Sequence, residues 1–424
     1  MSERPLLLFL TSELPYPPYS GMAIRMVNFL AGLKDRYRLH LLSLSSDADA
    51  RENADALRGF CERVEVLPAP ERTREQRLRS LLTSRLPDMA LRAYSLRLLR
   101  ALQVLLANNP YEVVHVESIE MAPYALAAIR RRPKSRRPRV SEAGAPRFIF
   151  DDLNAEYLLQ KRVFETDLRS PRRWIGAAYS FVQWRRLARY EREVCLAVDR
   201  VVAVSERDRD ELLRLAPGAD IHVVPNGIDA QHYLSYAPTD ADRAILSSTG
   251  PNLVFTGKMD YRPNVDAMLW FCAEILPRVR AEMPDARLTI VGQRPSPAVL
   301  ALGEQDGITV TGFVPDVRPY VAAADVYVVP MRMGSGTRLK VLEAMVLGKA
   351  LVSTTLGCEG YGLKPDEEIA VADDAEEFAE RVVTLLRDPV RRAGLGARAR
   401  EFAVQRYDWS RIVPLLERAY GFSQ

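Results

Sequence analysis

Short apolar runs recur along the chain, each closed by polar or turn residues, and they predict strands at 5–12, 37–44, 63–67, 112–117, 147–151, 200–205 and 221–225. The rhythm resumes at 252–257, 287–292, 307–311, 325–330 and 349–354. Between the runs, apolar residues return at helical spacing and predict helices at 22–34, 48–60, 73–84, 89–107, 173–198, 206–215, 264–280, 317–323, 337–347, 374–386, 389–404 and 409–420. Strands alternating with helices of this length imply an α/β chain with doubly wound parallel sheets covered by helices on both faces. Periodicity fades over 229–250, where Pro, Ser, Thr and Asp accumulate. That break divides the chain into 1–230, 231–405 and a helical tail at 406–424.

One stretch, 328–354, carries more chemistry than its neighbours. An apolar strand ends at Pro330, Gly334-Ser335-Gly336 lets the backbone turn tightly, and the following helix is stopped by Gly348. A glycine turn at the carboxyl end of a strand brings backbone N–H groups and a helix's positive end toward a ligand, which favours an anion. Arg338 and Lys340 add full charges. Gly336, Lys340 and Glu343 fall on one helix face, while Leu339, Leu342, Met345 and Val346 cover the other. An amphipathic surface helix with a Lys340–Glu343 ion pair explains the same pattern.

Composition narrows the field. With 424 residues and 48% hydrophobic content, two domains can each bury a core. The apolar run Leu6 to Leu10 is too short for a signal peptide or a membrane span and reads as a first buried strand. Four cysteines without paired spacing offer neither a zinc site nor a disulfide framework, which fits a reducing cytoplasm. A net charge of +4 is too small to argue for nucleic acid, but residues 71–139 hold fifteen Lys or Arg against six Asp or Glu. The run RRRPKSRRPR at 130–139 reads either as a solvated loop or as a segment drawn to anionic lipid.

The segment GSGTRLKVLEAMVLGKALVST resembles the signature of retaining glycosyltransferases of family four (glycosyl transferases group 1), in a glycine-rich variant similar to bacterial exopolysaccharide-type sugar transferases. VDRVVAVS followed by VVPNGID is similar to the end of that family's first domain, and FTGKMDYRPNVD partly matches the first loop of its second. The resemblance implies the GT-B fold, two Rossmann-like domains facing across a cleft, with the last helix crossing back to the first. It implies a nucleoside diphosphate sugar as donor and a glycan or lipid-linked hydroxyl as acceptor. Carried over residue by residue, the donor diphosphate falls to Gly21, Lys258, Gly336, Thr337, Arg338 and Lys340. The donor sugar falls to Gly334 and Ser335, and the nucleoside to Phe313, Val314 and Glu343. Two family features differ here: the first of two glutamates spaced eight apart is Ser335, and a histidine that commonly touches the donor sugar is replaced by Leu153.

No catalytic residue follows from spacing. Polar residues at predicted strand ends, His115 and Glu117 after EVVHVE and Asp152 and Asn154 after RFIFD, are the candidates, each with a core or turn role as its alternative. No cofactor or metal is expected, since lysine, arginine and a helix terminus can meet a departing diphosphate; the Asp-x-Asp spacings at Asp47/Asp49 and Asp240/Asp242 lie in polar connections and read as accidental. The expectation is a cytoplasmic sugar transferase of polysaccharide, glycolipid or other cell-surface glycan synthesis, peripheral on the inner face of the membrane. Its leaving phosphate would take the acceptor's proton in a front-face displacement. A non-catalytic nucleotide-sugar-binding protein and a sugar-nucleotide 2-epimerase share the implied fold. A dinucleotide oxidoreductase fits least, because no Gly-x-Gly-x-x-Gly follows the first strand.

Overall fold

A computed structural model describes residues 4–46, 49–131, 145–168, 174–237, 239–245, 250–334 and 336–422. The chain divides into two compact units, Met1–Pro225 with Ile412–Gln424, and Asn226–Arg411. The division lies a few residues before the 229–250 stretch, which itself carries two short helices, Ala230–Leu234 and Asp240–Ile245.

In the first unit, β1 (Leu6–Thr11), β2 (Arg38–Ser45), β3 (Arg63–Pro68), β4 (Val113–Glu117), β5 (Arg147–Asp152), β6 (Arg200–Ala203) and β7 (Ile221–Val223) form one sheet in the order β3-β2-β1-β4-β5-β6-β7. Every pair is parallel; Leu8, for example, lies between His40 of β2 and Val114 of β4. All six residues of β1 are buried, as a strand covered by helices on both faces requires. In the second unit, β8 (Asn252–Thr256), β9 (Arg287–Val291), β10 (Ile308–Val310), β11 (Val326–Val329), β12 (Ala350–Ser353) and β13 (Ala370–Val371) are ordered β10-β9-β8-β11-β12-β13, again all parallel. In both sheets the strand order reverses once, between β1 and β4 and between β8 and β11. Ligands of open α/β sheets bind beyond the carboxyl ends of the strands at that reversal.

Where elements depart from the expected pattern, a local cause is visible. The helix expected at 89–107 is two, Asp88–Arg92 and Leu96–Asn108. Between them Tyr124 inserts its hydroxyl, which donates to Ala93 O at 2.7 Å and accepts from Ser95 N at 2.6 Å. The helix expected at 264–280 runs as Arg262–Trp270, a wide turn at Phe271–Ile275, then Leu276–Glu282, since Pro277 has no N–H to continue the ladder. Two helices absent from the expectation are present, Ser118–Arg130, which contains Pro123, and Glu156–Leu168.

The last helix, Trp409–Tyr420, belongs to the first unit from Ile412 onward. There Glu417 Oε1 accepts from Tyr37 Oη at 2.8 Å, and Tyr420 Oη meets His115 Nδ1 at 3.0 Å.

Candidate functional site

In the second unit, the ends of β8 and β11 carry the residues singled out from sequence. After β11 the chain turns through Gly334, at φ 111°, and Gly336, at φ 75°, backbone that residues with a Cβ rarely adopt. Ser335 lies outside the described residues. The helix begins at Leu339, two residues later than expected, so Gly336 precedes it and only Lys340 and Glu343 share its outer face. Val341, Leu342, Ala344, Met345 and Val346 are buried and hold the opposite face in the core. Gly348, at φ 71°, ends the helix, and Arg400 supplies its side chain to the exposed carbonyls of Val346 and Leu347, each at 3.0 Å.

Lys340 and Glu343 do not neutralise each other, because each has its own neutral partner. Lys340 Nζ donates to Asn264 Oδ1 at 3.0 Å and sits 3.8 Å above the Phe255 ring. Protein surrounds it on most sides: burial first, and the charge of Arg338 second, pull its proton affinity down to about 7. Glu343 Oε1 accepts from Tyr233 Oη at 3.1 Å. Burial pushes its carboxyl up, opposed by the Tyr233 hydrogen bond and by Lys340. Both side chains retain a partly open surface, so a ligand that brings a negative group to Lys340 and hydroxyls to Glu343 would meet groups held in place.

Around this pair, Arg338 is buried, and its Nη1 donates to Gly336 O at 2.7 Å, bracing the glycine turn. Thr337 Oγ1 accepts from Asn226 Nδ2 at 2.8 Å. Lys258, on the loop after β8, is half exposed and only loosely paired with Asp260, at 3.9 Å. Phe313 is 69% exposed, whereas Val314 packs on the core. Sequence reasoning missed Asn226, Tyr233, Phe255 and Asn264. Two of them stand inside segments already notable as text, VVPNGID and YRPNVD, but nothing in the sequence shows which side chain they reach.

In the first unit, Gly21 opens the helix Gly21–Leu33 with ordinary backbone, and Ser20 caps it by accepting from Ala23 N at 3.1 Å. His115 is wholly interior. It lies 3.3 Å from Asp151 Oδ2 and 4.9 Å from the Phe9 ring centroid, so the core alternative describes it, not a residue facing a ligand. Asp151 is clasped by Arg25, Nε to Oδ2 at 2.8 Å and Nη2 to Oδ1 at 2.9 Å. Burial alone would raise this carboxyl, but the Arg25 charge and the His115 contact hold it down at about 2. Glu117 bridges the strand reversal, its Oε2 accepting from Ser12 N and Oγ, both at 2.9 Å. Burial outweighs those donors and pushes it up to about 7.

Asp152 is also buried, facing Glu191, and burial first and that neighbouring carboxyl second push it well up. Glu191 in turn accepts from Glu156 N at 2.9 Å and Tyr157 N at 3.0 Å, so it caps the helix Glu156–Leu168. Asn154 stands half-buried beside Glu156. Of the two Asp-x-Asp spacings, Asp47 lies outside the described residues, and Asp242 caps its own helix by accepting from Thr239 N at 2.8 Å.

Residues 19–232 match the model of glycosyltransferase family 4, and residues 250–388 match that of glycosyl transferases group 1. A phosphatidyl-myo-inositol mannosyltransferase of Mycolicibacterium smegmatis is 31% identical over 231 residues, 52% of this chain and 56% of that one. The chain thus spans about half the length of the curated relatives it matches. Among solved structures, a sucrose-phosphate synthase from Thermosynechococcus elongatus superposes with a TM-score of 0.71 at 17% identity, covering 98% of each chain. Anabaena HepE in complex with UDP follows at 0.65 and 15%, covering 98% of this chain and 99% of that one. At such identities these two likenesses establish the fold alone, which is GT-B. With a family model spanning half of its residues and a parallel doubly wound sheet in each unit, the chain belongs to glycosyltransferase family 4.

Proposed function

We propose that the protein is a glycosyltransferase that moves a sugar, with retention, from a nucleoside diphosphate sugar to a hydroxyl acceptor in glycolipid, polysaccharide or other cell-surface glycan synthesis. The observation that carries this is the pairing of Lys340 with Glu343 on one face of the Leu339–Val346 helix, behind the Gly334 and Gly336 turn at the end of β11. The lysine and the turn's N–H groups take the diphosphate, and Glu343 takes the ribose hydroxyls. Gly334 and Ser335 adjoin the sugar, and Phe313 and Val314 the base. As the bond to the sugar breaks, negative charge grows on the diphosphate; losing one donor there costs roughly 3–4 kcal/mol in the transition state. In this reading the leaving phosphate takes the acceptor's proton, no protein base is needed, and no metal is required.

Relatives support the donor and acceptor classes: one is named as a mannosyltransferase acting on phosphatidyl-myo-inositol, and a fold neighbour is described with UDP. We further propose a cytoplasmic protein held peripherally at an anionic membrane. Among the described residues no helix is long and apolar enough to cross a membrane. The membrane reading rests on the helix Trp174–Ala197, whose exposed residues include Trp174, Phe181 and Leu196 together with Arg185, Arg189 and Arg192. Most of the basic run at 130–139 lies outside the described residues.

A thermal-shift titration with UDP, GDP, ADP and NAD tests the donor site. A ligand of the folded state at about 100 times its dissociation constant adds about 2.7 kcal/mol. Stabilisation by one nucleoside diphosphate is expected; stabilisation by NAD alone, or by none, would overturn the reading. Ser335 and Leu153, standing where the resembled family has a glutamate and a histidine, favour as second reading a protein that binds the donor without turnover. Incubation of the stabilising nucleotide's sugar conjugates with lipid acceptors decides between them, and the anomeric configuration of any product reads retention.

A further inference from the structure

Lys340 is held by a residue that no family motif assigns to it. Asn264, 5% exposed in the helix Arg262–Trp270, makes two hydrogen bonds with opposite ends of its amide. Oδ1 accepts from Lys340 Nζ at 3.0 Å, and Nδ2 donates to Lys258 O at 2.9 Å. Only this amide orientation satisfies both, since an ammonium has no acceptor and a carbonyl no donor. The fit is tight. Gly257 sits at φ 154°, and a Cβ there would lie 2.7 Å from both Asn264 Nδ2 and Lys340 Nζ. Phe255 closes the remaining side, 3.8 Å below the ammonium.

We propose that Asn264 is a positioning residue that aims Lys340 at the donor's diphosphate, locks the loop after β8 to it, and sets whether the lysine carries its proton before the donor arrives. This rests on the reading of Lys340 as a diphosphate-binding residue. The charged and titratable groups around Lys340 are few: Arg338 opposes its charge, Glu343 favours it, and Lys258 lies on the bonded loop with Asp260 beside it. The Phe255 ring and the Asn264 oxygen both favour the charged form, and burial disfavours it. A balance so close, with the lysine at about 7, makes the ligand draw in a proton on binding at higher pH.

The test is calorimetric titration of the full chain with UDP, GDP and ADP between pH 6 and 9, for the parent, Asn264→Asp and Asn264→Ala. For the parent, the dissociation constant of whichever nucleotide binds is expected to be level below about pH 7 and to weaken by roughly tenfold per pH unit above it, as one required proton dictates. Asn264→Asp places a negative charge beside the ammonium and should move that break upward by a unit or more. Asn264→Ala removes an acceptor and should move it downward. The nucleotide's own titration cancels in the ratio to the parent. A residue that only supported the fold would change melting temperature and affinity without shifting the break in opposite directions, so breaks that coincide with the parent's overturn the proposal. If the alanine variant does not fold, the direction given by Asn264→Asp decides. Lys340→Ala separates the two layers: unchanged nucleotide affinity in that variant sinks the diphosphate reading itself, whereas lost affinity with unmoved breaks sinks only the role of Asn264.

Discussion

Glu343 and Gly257 illustrate two ways in which a single residue can set this site. Glu343 keeps a partly open carboxylate next to Lys340, with one oxygen engaged by Tyr233, so its free acceptor capacity is what a ribose would use. Glu343→Gln preserves shape and the Tyr233 contact but removes the charge. Hydrogen bonds to charged groups are worth about 1.5–3 kcal/mol, so nucleoside diphosphate affinity should fall by tenfold or more while the melting temperature holds. Equal affinity in calorimetry would end the ribose assignment. Gly257 works by having no side chain. An alanine there needs a backbone conformation costing about 1–3 kcal/mol and displaces Asn264 or Lys340. Gly257→Ala is expected to lower both the melting temperature and nucleotide affinity, and an alanine variant with parental affinity would show that the loop tolerates more movement than its contacts suggest.

Elements were legible where hydrophobic period alone decides them and opaque where a distant side chain does. The helix 206–215 and the strand ends of β1, β4 and β11 follow from periodicity and turn residues, and the structure agrees to within a residue or two. The helix Glu156–Leu168 was not legible, because its first N–H groups are capped by Glu191, more than thirty positions away. The same contact has a pH consequence. Glu191 is pushed up to about 8, and Glu117 and Glu156 to about 7, from an ordinary 4.5, in each case chiefly by burial. The folded chain therefore holds protons that the unfolded chain has released, so this contribution to stability is complete below about pH 4.5 and is lost as pH rises through 7 to 8. Asp151 acts in the opposite sense: held at about 2 against an ordinary 3.8, it contributes above pH 4 and loses its contribution as pH falls toward 2. Between pH 6 and 8 the melting temperature should decline, and Asp152→Asn, which removes one of the two facing carboxyls, should flatten the decline. A slope identical to the parent's in differential scanning calorimetry would show that the pair does not titrate in this range.

At the scale of the whole molecule, the sequence announced two parallel doubly wound sheets through alternation alone, and the family through GSGTRLKVLEA; neither required knowledge of a single contact. What it concealed was the burial that decides roles: His115 and Asp152 read as strand-end polar residues but are interior, while Lys340 and Glu343 stay partly open. Surface character was equally split. The basic run at 130–139 is plain as text, whereas the exposed Trp174 and Phe181 emerge only once the helix Trp174–Ala197 has chosen its buried side, with Leu187, Tyr190 and Val194 inward. If this face rests on a membrane, its aromatic side chains enter the interface while its arginines meet anionic headgroups at about 1 kcal/mol each. The two contributions separate experimentally. Sedimentation with vesicles containing phosphatidylglycerol should show binding that weakens as salt rises, because charges beyond a Debye length of about 8 Å are screened at 0.15 M. Trp174→Ala combined with Phe181→Ala should lower binding at every salt concentration and leave the salt slope unchanged, whereas Arg185→Gln with Arg189→Gln should flatten the slope. Salt-independent binding, or none, would remove the membrane from this protein's function, and concentration-dependent self-association through Trp174 and Phe181 would reassign the face to a second copy of the chain.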